Sequence, residues 1–237
     1  MKKAASFALG CKVNQYESEA IAELFAEKGY EIVGIDEEAD VYVINTCTVT
    51  NFGDKKSRQL IRKVKRQNEN AIVAVVGCYA QTAPKELMEI AGVNLVIGTK
   101  DRAQIVEMVE QYDRANGVEN HVSDIMKERV FEPLSIQKLA NRTRAYLKIQ
   151  DGCSQYCSYC IIPYARGPIR SREPQEVVAE VKRLAENGFK EVVLTGIHVA
   201  SYGKDRRDTS LPDILKQVHE VEGIERIRFM TSHPKDL

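Results

Sequence analysis

Three apolar segments in the first half of the sequence constrain the fold more than any other feature. They read DVYVINTC over residues 40–47, AIVAVVGCY over 71–79 and VNLVIGT over 93–99. Each is apolar at successive positions, as expected of strands that are buried on both faces. A helical pattern over about residues 54–68 follows the first of these segments, and another from Asp101 to about Tyr112 follows the last. Buried strands joined by helices predict an α/β domain with a doubly wound parallel sheet.

The same alternation starts at the N-terminus, with a short apolar strand over residues 3–9 and a helix over 17–28. A polar, irregular stretch follows Tyr112 and ends the pattern for some thirty residues. We therefore predict an N-terminal domain over residues 1–115, a linker over 116–141 and a second domain over 142–237.

Strand and helix patterns resume in the second domain. RAYLKIQDG, EVVLTG and RIRFMTSHP read as strands, and helices begin after Glu173-Pro174 and at Pro212. Two and a half βα units are too few to close a barrel. We expect the first half of a partial (β/α) barrel, in a chain cut short within that domain.

Composition excludes several classes of protein. The chain has 237 residues, no net formal charge and 43% hydrophobic residues, as in an ordinary globular protein. It contains no apolar run long enough to cross a membrane, and Gly10-Cys11-Lys12 interrupts the N-terminal apolar run too early for a signal peptide. Six cysteines without a secretion signal point to metal or catalytic roles in a reducing compartment. We expect a cytoplasmic protein with no membrane partner.

The segment CSQYCSYC places Cys153, Cys157 and Cys160 within eight residues, after the first strand of the second domain. Their thiolates can hold three irons of a cubane iron–sulfur cluster and leave the fourth iron open to a substrate or cofactor. The alternative is a zinc loop that takes its fourth ligand from a distant cysteine.

The other three cysteines each follow a predicted strand. Cys11 follows the first, Cys47 ends VYVINTC and Cys78 ends AIVAVVGC. The carboxyl ends of parallel strands share one edge of the sheet, which is the usual ligand crevice. The three positions suggest a second cluster, but cysteines are also small apolar residues that fit strand ends. Spacing alone leaves both interpretations open.

Neighbouring residues favour the cluster. The segments ALGCKVNQYESE, INTCTVTNFGDKKSRQ and VVGCYAQ, followed by IQDGCSQYCSYCIIPYARGPIRSREP, resemble the radical S-adenosylmethionine methylthiotransferases over nearly the whole chain. The resemblance implies a radical-SAM core, here its first half, behind an N-terminal auxiliary-cluster domain. It implies two [4Fe-4S] clusters, one on Cys153, Cys157 and Cys160 and an auxiliary one on Cys11, Cys47 and Cys78.

The resemblance also implies a reaction. One S-adenosylmethionine methylates a sulfide at the auxiliary cluster, and a second gives a 5′-deoxyadenosyl radical that removes hydrogen from an unactivated carbon. Such a bond has no useful acidity, so the cofactors carry the hard step while the protein positions them. An electron donor such as flavodoxin or ferredoxin and a sulfur source are further implied partners.

Several residues match or suggest contacts with the cofactor or the substrate. Tyr159 matches an aromatic residue near the adenine of S-adenosylmethionine, although core packing would explain it equally well. Gly196 in LTGIH matches a glycine beside the methionine amino group. His198 could donate a hydrogen bond there, although a lone histidine at a strand end is more often structural, and Ser232 and His233 would line the same edge. Arg166, Arg170 and Arg172 are candidates for phosphate or carboxylate contact, or for a solvated basic face.

KVNQY after Cys11 and TVTNFGDKKSR after Cys47 resemble the branch of the family that acts on N6-threonylcarbamoyladenosine beside the anticodon of tRNA. Lys12 is a candidate partner for the threonylcarbamoyl carboxylate. TSHP near the end resembles the isopentenyladenosine branch instead, and a third branch modifies a ribosomal-protein aspartate. KKSRQLIRKVKR, over residues 55–66, has seven basic residues that could meet tRNA phosphates. A non-catalytic metal-binding RNA module is the alternative from another class.

Overall fold

The structure is a computed structural model that describes residues 1–48, 51–136, 144–230, 232–233 and 236, with the backbone alone for residues 51–54. The chain divides into two compact units. Unit 1 comprises Met1–Met126 and Tyr164–Arg166, and unit 2 comprises Lys127–Pro163 and Gly167–Leu237.

Unit 1 contains a six-stranded parallel sheet with the strand order β2-β1-β3-β4-β5-β6. Its strands are β1 Lys3–Ala8, β2 Glu31–Ile32, β3 Val41–Thr46, β4 Ile72–Gly77, β5 Leu95–Ile97 and β6 Glu119–Asn120. Its helices are α1 Lys12–Glu27, α2 Asn51–Gln67, α3 Cys78–Thr82, α4 Pro84–Met88 and α5 Ile105–Gln111.

Helices cover the sheet of unit 1 on both faces, as the apolar strands require. All six residues of β3 are buried. Tyr42 and Ile44 pack with Ile61 and Val64 of α2 on one face. Val43 packs on the opposite face in a cluster that includes residues of α1 and α5. The order β2-β1-β3-β4-β5 is the flavodoxin-like one, in which ligands bind at the carboxyl edge between β1 and β3.

Unit 2 contains a three-stranded parallel sheet with the order β11-β10-β7 and a short antiparallel pair, β8 and β9. The strands are β7 Arg144–Lys148, β8 Gln150–Asp151, β9 Arg170–Ser171, β10 Glu191–Thr195 and β11 Arg226–Phe229. The helices that follow them are α7 Pro174–Glu186 and α8 Leu211–His219, whose apolar residues pack on the sheet. A short helix, α6 Ile162–Arg166, runs from unit 2 into the segment assigned to unit 1.

The predicted α/β class and the main strands are confirmed, and several boundaries differ. Helix α1 begins at Lys12 rather than at residue 17, and Cys78 begins α3 instead of ending a strand. Asp101 precedes a 3-10 turn rather than an α-helix and makes no side-chain cap bond. The predicted linker starts too early, because β6 pairs with β5 inside the sheet of unit 1. Residues 137–141 of that linker lie outside the described residues.

Several short elements among the described residues were not predicted, β2 and α4 among them. Strand β2 has two exposed residues, and α4 is a five-residue helix, so neither carries a periodic pattern that sequence can reveal. The strand predicted over residues 226–234 ends at Phe229, and Thr231 and Pro234 of the TSHP segment lie outside the described residues.

Candidate metal centres

The cysteines Cys11, Cys47 and Cys78 of unit 1, hereafter the unit 1 triad, follow three adjacent strands of its sheet. Cys11 precedes α1 after β1, Cys47 follows β3, and Cys78 is the first residue of α3 after β4. All three are free thiols, with Cys11 exposed and Cys78 buried. Strands β1, β3 and β4 are neighbours, so the triad lies at one carboxyl edge of the sheet.

Two glycines form the backbone around this triad. Gly10 has a φ of 98°, and a Cβ there would lie 2.6 Å from Cys47 Cβ and 2.7 Å from Cys47 Sγ. Gly77 has a φ of 95°, and a Cβ there would overlap Asn45 Oδ1 and lie 2.7 Å from the Thr46 carbonyl oxygen. Only glycine gives both the positive φ and the close approach. The Cys47 sulfur therefore packs directly against the backbone that precedes Cys11.

A buried polar network lies beside Cys78. The Arg166 Nε donates to Cys78 Sγ at 3.2 Å, and its Nη1 donates to Glu17 Oε1 at 2.5 Å. Its Nη2 donates to Asn14 Oδ1 at 2.6 Å. Arg102 pairs with the same carboxylate, with Nη1 2.6 Å from Glu17 Oε2. The side chains of both arginines and of Glu17 are fully buried.

The charge of this network is suited to an anionic partner. Among the described residues of unit 1, the buried charged side chains are Glu17, Arg102 and Arg166, one carboxylate against two guanidinium groups. Burial raises the pKa of the Cys78 thiol, and the adjacent Arg166 acts against that shift. A guanidinium group beside a sulfur favours its thiolate form, so this edge suits an anionic ligand.

The cysteines Cys153, Cys157 and Cys160, hereafter the unit 2 triad, lie in the loop after β8. Gly152, with a φ of 72°, lets this loop pass so close to Pro168 that a Cβ would overlap the proline carbonyl. The Cys160 N–H donates to the Cys157 carbonyl at 2.9 Å, which brings these two ligands into one turn. Burial raises the pKa of the Cys153 thiol, and the charges of Cys160 and Cys157 raise it further.

The donor set of each triad fits an iron–sulfur cluster better than a single ion. In the part of the chain that the structure describes, no three His, Cys, Asp or Glu side chains converge closely enough to hold one metal ion. A cubane cluster takes one thiolate on each of three irons and leaves the fourth iron open, so three cysteines suffice for it, whereas a structural zinc site usually takes four ligands.

The predicted S-adenosylmethionine contacts in unit 2 differ in their surroundings. A Cβ at Gly196 would lie 2.8 Å from both the carbonyl oxygen and the Oε1 of Gln150. The His198 N–H donates to Gln150 Oε1 at 2.8 Å, and its Nε2 lies 2.5 Å from Asp236 Oδ2. Tyr159 is 88% exposed, so its alternative explanation, core packing, is wrong. Ser232 is exposed as well.

The three arginines predicted to contact substrate are buried, so the solvated basic face weighed against that role is wrong. Arg172 Nη2 lies 2.5 Å from Glu180 Oε2. Arg170 Nη1 donates to the Pro168 carbonyl at 3.1 Å, and Arg166 belongs to the unit 1 network. Lys12 is exposed, and its Nζ donates to Gln15 Oε1 at 3.0 Å.

The polar residues behind Cys78 and beside Gly196 were not predicted. Asn14 and Glu17 share the buried face of α1 with Ile21, at helical spacing, but the predicted helix began too late to show it. A glutamate inside an otherwise apolar helix face is the signal that could have found this network. Gln150 carried no comparable signal.

A basic groove in unit 1 lies along α2 and the end of β1. Its cavity volume is about 660 Å³. The residues that line it are Phe7, Leu9, Lys56, Gln59, Leu60, Arg62, Lys63 and Arg66. Phe7 is 37% exposed, so an aromatic ring lies among four basic side chains. Leu9 is two residues before Cys11, which places the groove next to the unit 1 triad in sequence.

Two family models match the chain. Residues 3–98 match Uncharacterized protein family UPF0004, and residues 147–236 match the Radical SAM superfamily. Among solved structures, the radical S-adenosylmethionine methyltransferase TsrM from Kitasatospora setae is similar, with a TM-score of 0.58 and 16% identity. That alignment covers 92% of this chain and 51% of TsrM. No helix among the described residues has the length and apolar character needed to cross a membrane.

Curated relatives match almost all of this chain. "Threonylcarbamoyladenosine tRNA methylthiotransferase MtaB" of Bacillus subtilis (strain 168) is 52% identical over 97% of the chain and 51% of the relative. The protein of the same name from Aquifex aeolicus is 41% identical, over 99% and 57%. The "tRNA-2-methylthio-N(6)-dimethylallyladenosine synthase" of Dictyoglomus thermophilum is 36% identical, over 96% and 52%. The chain thus spans about half the length of these relatives, and over nearly all of its own length it is similar to tRNA methylthiotransferases.

Proposed function

We propose that the protein is a tRNA methylthiotransferase that converts N6-threonylcarbamoyladenosine beside the anticodon to its 2-methylthio derivative. The observation that carries this proposal is the pair of free cysteine triads, one in each unit, in a chain that matches methylthiotransferases over 97% of its length. A reaction that both transfers a sulfur group and breaks an unactivated C–H bond needs two separate centres, and two triads provide their ligands.

The unit 2 triad holds the cluster that works with S-adenosylmethionine, and when bound this pair supplies the radical that removes hydrogen. The residues of the chain position the cofactor. Gly196, directly after β10, accommodates Gln150, because any side chain at Gly196 would collide with it, and Gln150 in turn accepts a hydrogen bond from the His198 N–H. Asp236 holds His198 through its Nε2 atom. Tyr159 is exposed and available to cover an adenine ring.

The unit 1 triad would hold a second [4Fe-4S] cluster, at which the sulfide to be methylated and transferred would be bound. Support comes from the position of all three thiols at the carboxyl edge between β1, β3 and β4, and from Gly10, which brings Cys47 against the Cys11 backbone. The excess positive charge of the buried network beside Cys78 favours a negatively charged group at this edge.

The threonylcarbamoyl substrate rests on similarity and on charge. Identity is higher to relatives named for threonylcarbamoyladenosine, at 52% and 41%, than to the 36% relative named for dimethylallyladenosine. The threonylcarbamoyl group carries a carboxylate, and the dimethylallyl group is apolar. Lys12 is exposed directly after Cys11, so its ammonium group can meet that carboxylate. A polar site of this kind rejects the apolar analogue.

The basic groove is the surface of unit 1 that we assign to tRNA. Lys56, Arg62, Lys63 and Arg66 provide charge for phosphates, and Phe7 provides a ring on which an unpaired base can stack. An electron donor such as flavodoxin or ferredoxin and a sulfur source complete the partners of the reaction. A tRNA substrate places the protein in the cytoplasm.

Mass spectrometry of tRNA nucleosides tests the assignment of the substrate. The protein is expressed in cells that lack the native activity, beside a Lys12→Ala variant. We expect 2-methylthio-threonylcarbamoyladenosine with the parent, and at least tenfold less with the variant. The appearance of 2-methylthio-dimethylallyladenosine alone would refute the substrate and favour the second candidate, whose support is the 36% identity to relatives of that name.

A further inference from the structure

We infer that Arg166 is a positioning residue of the auxiliary cluster, whose guanidinium group fixes the Cys78 ligand and tunes the cluster through a hydrogen bond to its sulfur. The inference rests on the proposed function, because it takes Cys78 to be a cluster ligand. It differs from the substrate contact predicted for this arginine from sequence.

The guanidinium group of Arg166 is held from three sides. Nη1 and Nη2 lie 2.5 Å and 3.1 Å from the two oxygens of Glu17, a bidentate pair, and Nη2 also donates to Asn14 Oδ1. The remaining donor, Nε, is directed to Cys78 Sγ at 3.2 Å. A planar guanidinium group that is already held by other partners loses little conformational freedom when it also donates to a sulfur.

The partners of Arg166 are themselves fixed. Asn14 donates to the carbonyl oxygens of Leu9 and Thr46, at 2.8 and 3.0 Å, so it joins the ends of β1 and β3. Glu17 also forms an ion pair with Arg102. The residue before Arg166 is fixed as well, because the Ala165 carbonyl accepts a hydrogen bond from the Thr99 hydroxyl at 2.7 Å. The donor is therefore anchored to the ends of β1 and β3, which precede Cys11 and Cys47.

This arrangement has a physical consequence for the bound cluster. The potential of an iron–sulfur cluster depends on its net charge, on hydrogen bonds to its sulfurs and on its exposure to solvent. A buried cation that donates to a ligand sulfur stabilises the reduced, more negative state. The loss of Arg166 therefore lowers the reduction potential of the auxiliary cluster.

The experiment uses the full chain with Cys153, Cys157 and Cys160 replaced by alanine, so that only the unit 1 triad can hold a cluster. After anaerobic reconstitution with iron and sulfide, iron is counted and the reduction potential is measured by a titration followed by electron paramagnetic resonance. Arg166→Gln and Arg166→Lys are compared with Arg102→Gln. Arg102 is the matched control, because it is as buried as Arg166 and pairs with the same Glu17. The hydrogen bond to Cys78, by contrast, comes from Arg166. Thermal unfolding of the apo forms is recorded in parallel.

We expect Arg166→Gln and Arg102→Gln to destabilise the apo protein similarly, because each removes one cation from Glu17. We expect Arg166→Gln to shift the potential clearly to more negative values, Arg166→Lys to shift it less because the charge remains, and Arg102→Gln to shift it least. A loss of cluster in Arg166→Gln with retention in Arg102→Gln also supports the inference.

Three outcomes oppose the inference in different ways. Equal potentials in Arg166→Gln and Arg102→Gln overturn it and leave the proposed function intact. If both glutamine variants lose the cluster, an Arg166→Lys potential equal to that of the parent overturns it. A triple-alanine parent that binds no iron at all overturns the auxiliary site itself, and the inference with it.

Discussion

Gly77→Ala tests whether the turn into Cys78 requires a glycine. Gly77 has a φ of 95° and a ψ of −158°, a region open to glycine and strained for alanine. An added Cβ would also overlap Asn45 Oδ1 and lie 2.7 Å from the Thr46 carbonyl oxygen. Both obstacles belong to β3, whose position the sheet fixes. The substitution must therefore displace the start of α3, and Cys78 with it.

The structure offers a matched control for the size of this effect. Gly117, also in unit 1, has a φ of 75° and a ψ of −147°, and a Cβ there would meet nothing within 4 Å. Both alanine variants incur the cost of the backbone conformation, about 1–3 kcal/mol. Only Gly77→Ala adds overpacking, about 1–3 kcal/mol more. At about 1.4 kcal/mol per factor of ten, this difference corresponds to roughly 5- to 150-fold in an opening equilibrium.

Hydrogen–deuterium exchange of peptides from β3 and β4 measures the opening equilibrium of unit 1 directly. We expect exchange in Gly77→Ala to be faster than in Gly117→Ala by roughly 5- to 150-fold, from the overpacking term. We also expect Gly77→Ala to lose iron from the unit 1 triad, and Gly117→Ala to retain it. Equal exchange rates and equal iron content in the two variants would refute the reasoning, because the collision with β3 would then carry no cost.

Replacing either cysteine triad by alanine should halve the iron bound after reconstitution. Only the loss of the unit 2 triad should abolish reductive cleavage of S-adenosylmethionine. Full iron content in either variant would contradict the assignment of two cluster sites. A hydrogen bond from Arg226, with Arg228 and Arg144 nearby, lowers the pKa of Glu191. The contribution of Glu191 to stability is therefore fully present above about pH 4.3, the ordinary pKa of a glutamate. It is lost as the pH falls through the lowered pKa. Glu191→Gln should flatten this part of the stability–pH curve in thermal unfolding, and an unchanged curve rejects the assignment. Arg62→Glu with Arg66→Glu should weaken tRNA binding at least tenfold in fluorescence anisotropy, and Lys182→Glu with Arg183→Glu in unit 2 should not; equal losses would remove the groove from the proposal.

The parallel sheet could be predicted because its strands are apolar at every position. Val41–Thr46 and Ile72–Gly77 are buried almost throughout, and only a sheet covered on both faces produces such runs. The same strand assignments predicted that three cysteines follow strands of the first sheet and that the other three lie in one loop. Strand β2 was not predicted because it has two residues, both exposed, and so shows no apolar pattern.

The surroundings of the cysteines could not be predicted to the same extent. Arg166 is a basic residue close to the unit 2 triad in sequence, so substrate contact was a natural expectation. Its actual partners, Glu17 and Asn14, are some 150 positions earlier in the chain. Sequence spacing reveals contacts along one helix or one loop, whereas contacts of this range depend on the fold.

The assignment of Tyr164–Arg166 to unit 1 has a consequence for folding during synthesis. Met1–Met126 leave the ribosome first, and at that moment Glu17 can pair with Arg102 but not with Arg166. At translation rates of about 5–20 residues per second, the last piece of the unit arrives a few seconds later. Over that interval Cys78 lacks its guanidinium donor. We expect a nascent chain that stops at Met126 to be more easily cleaved by proteases around α1 than one that extends past Arg166, and cluster insertion to follow completion of unit 1.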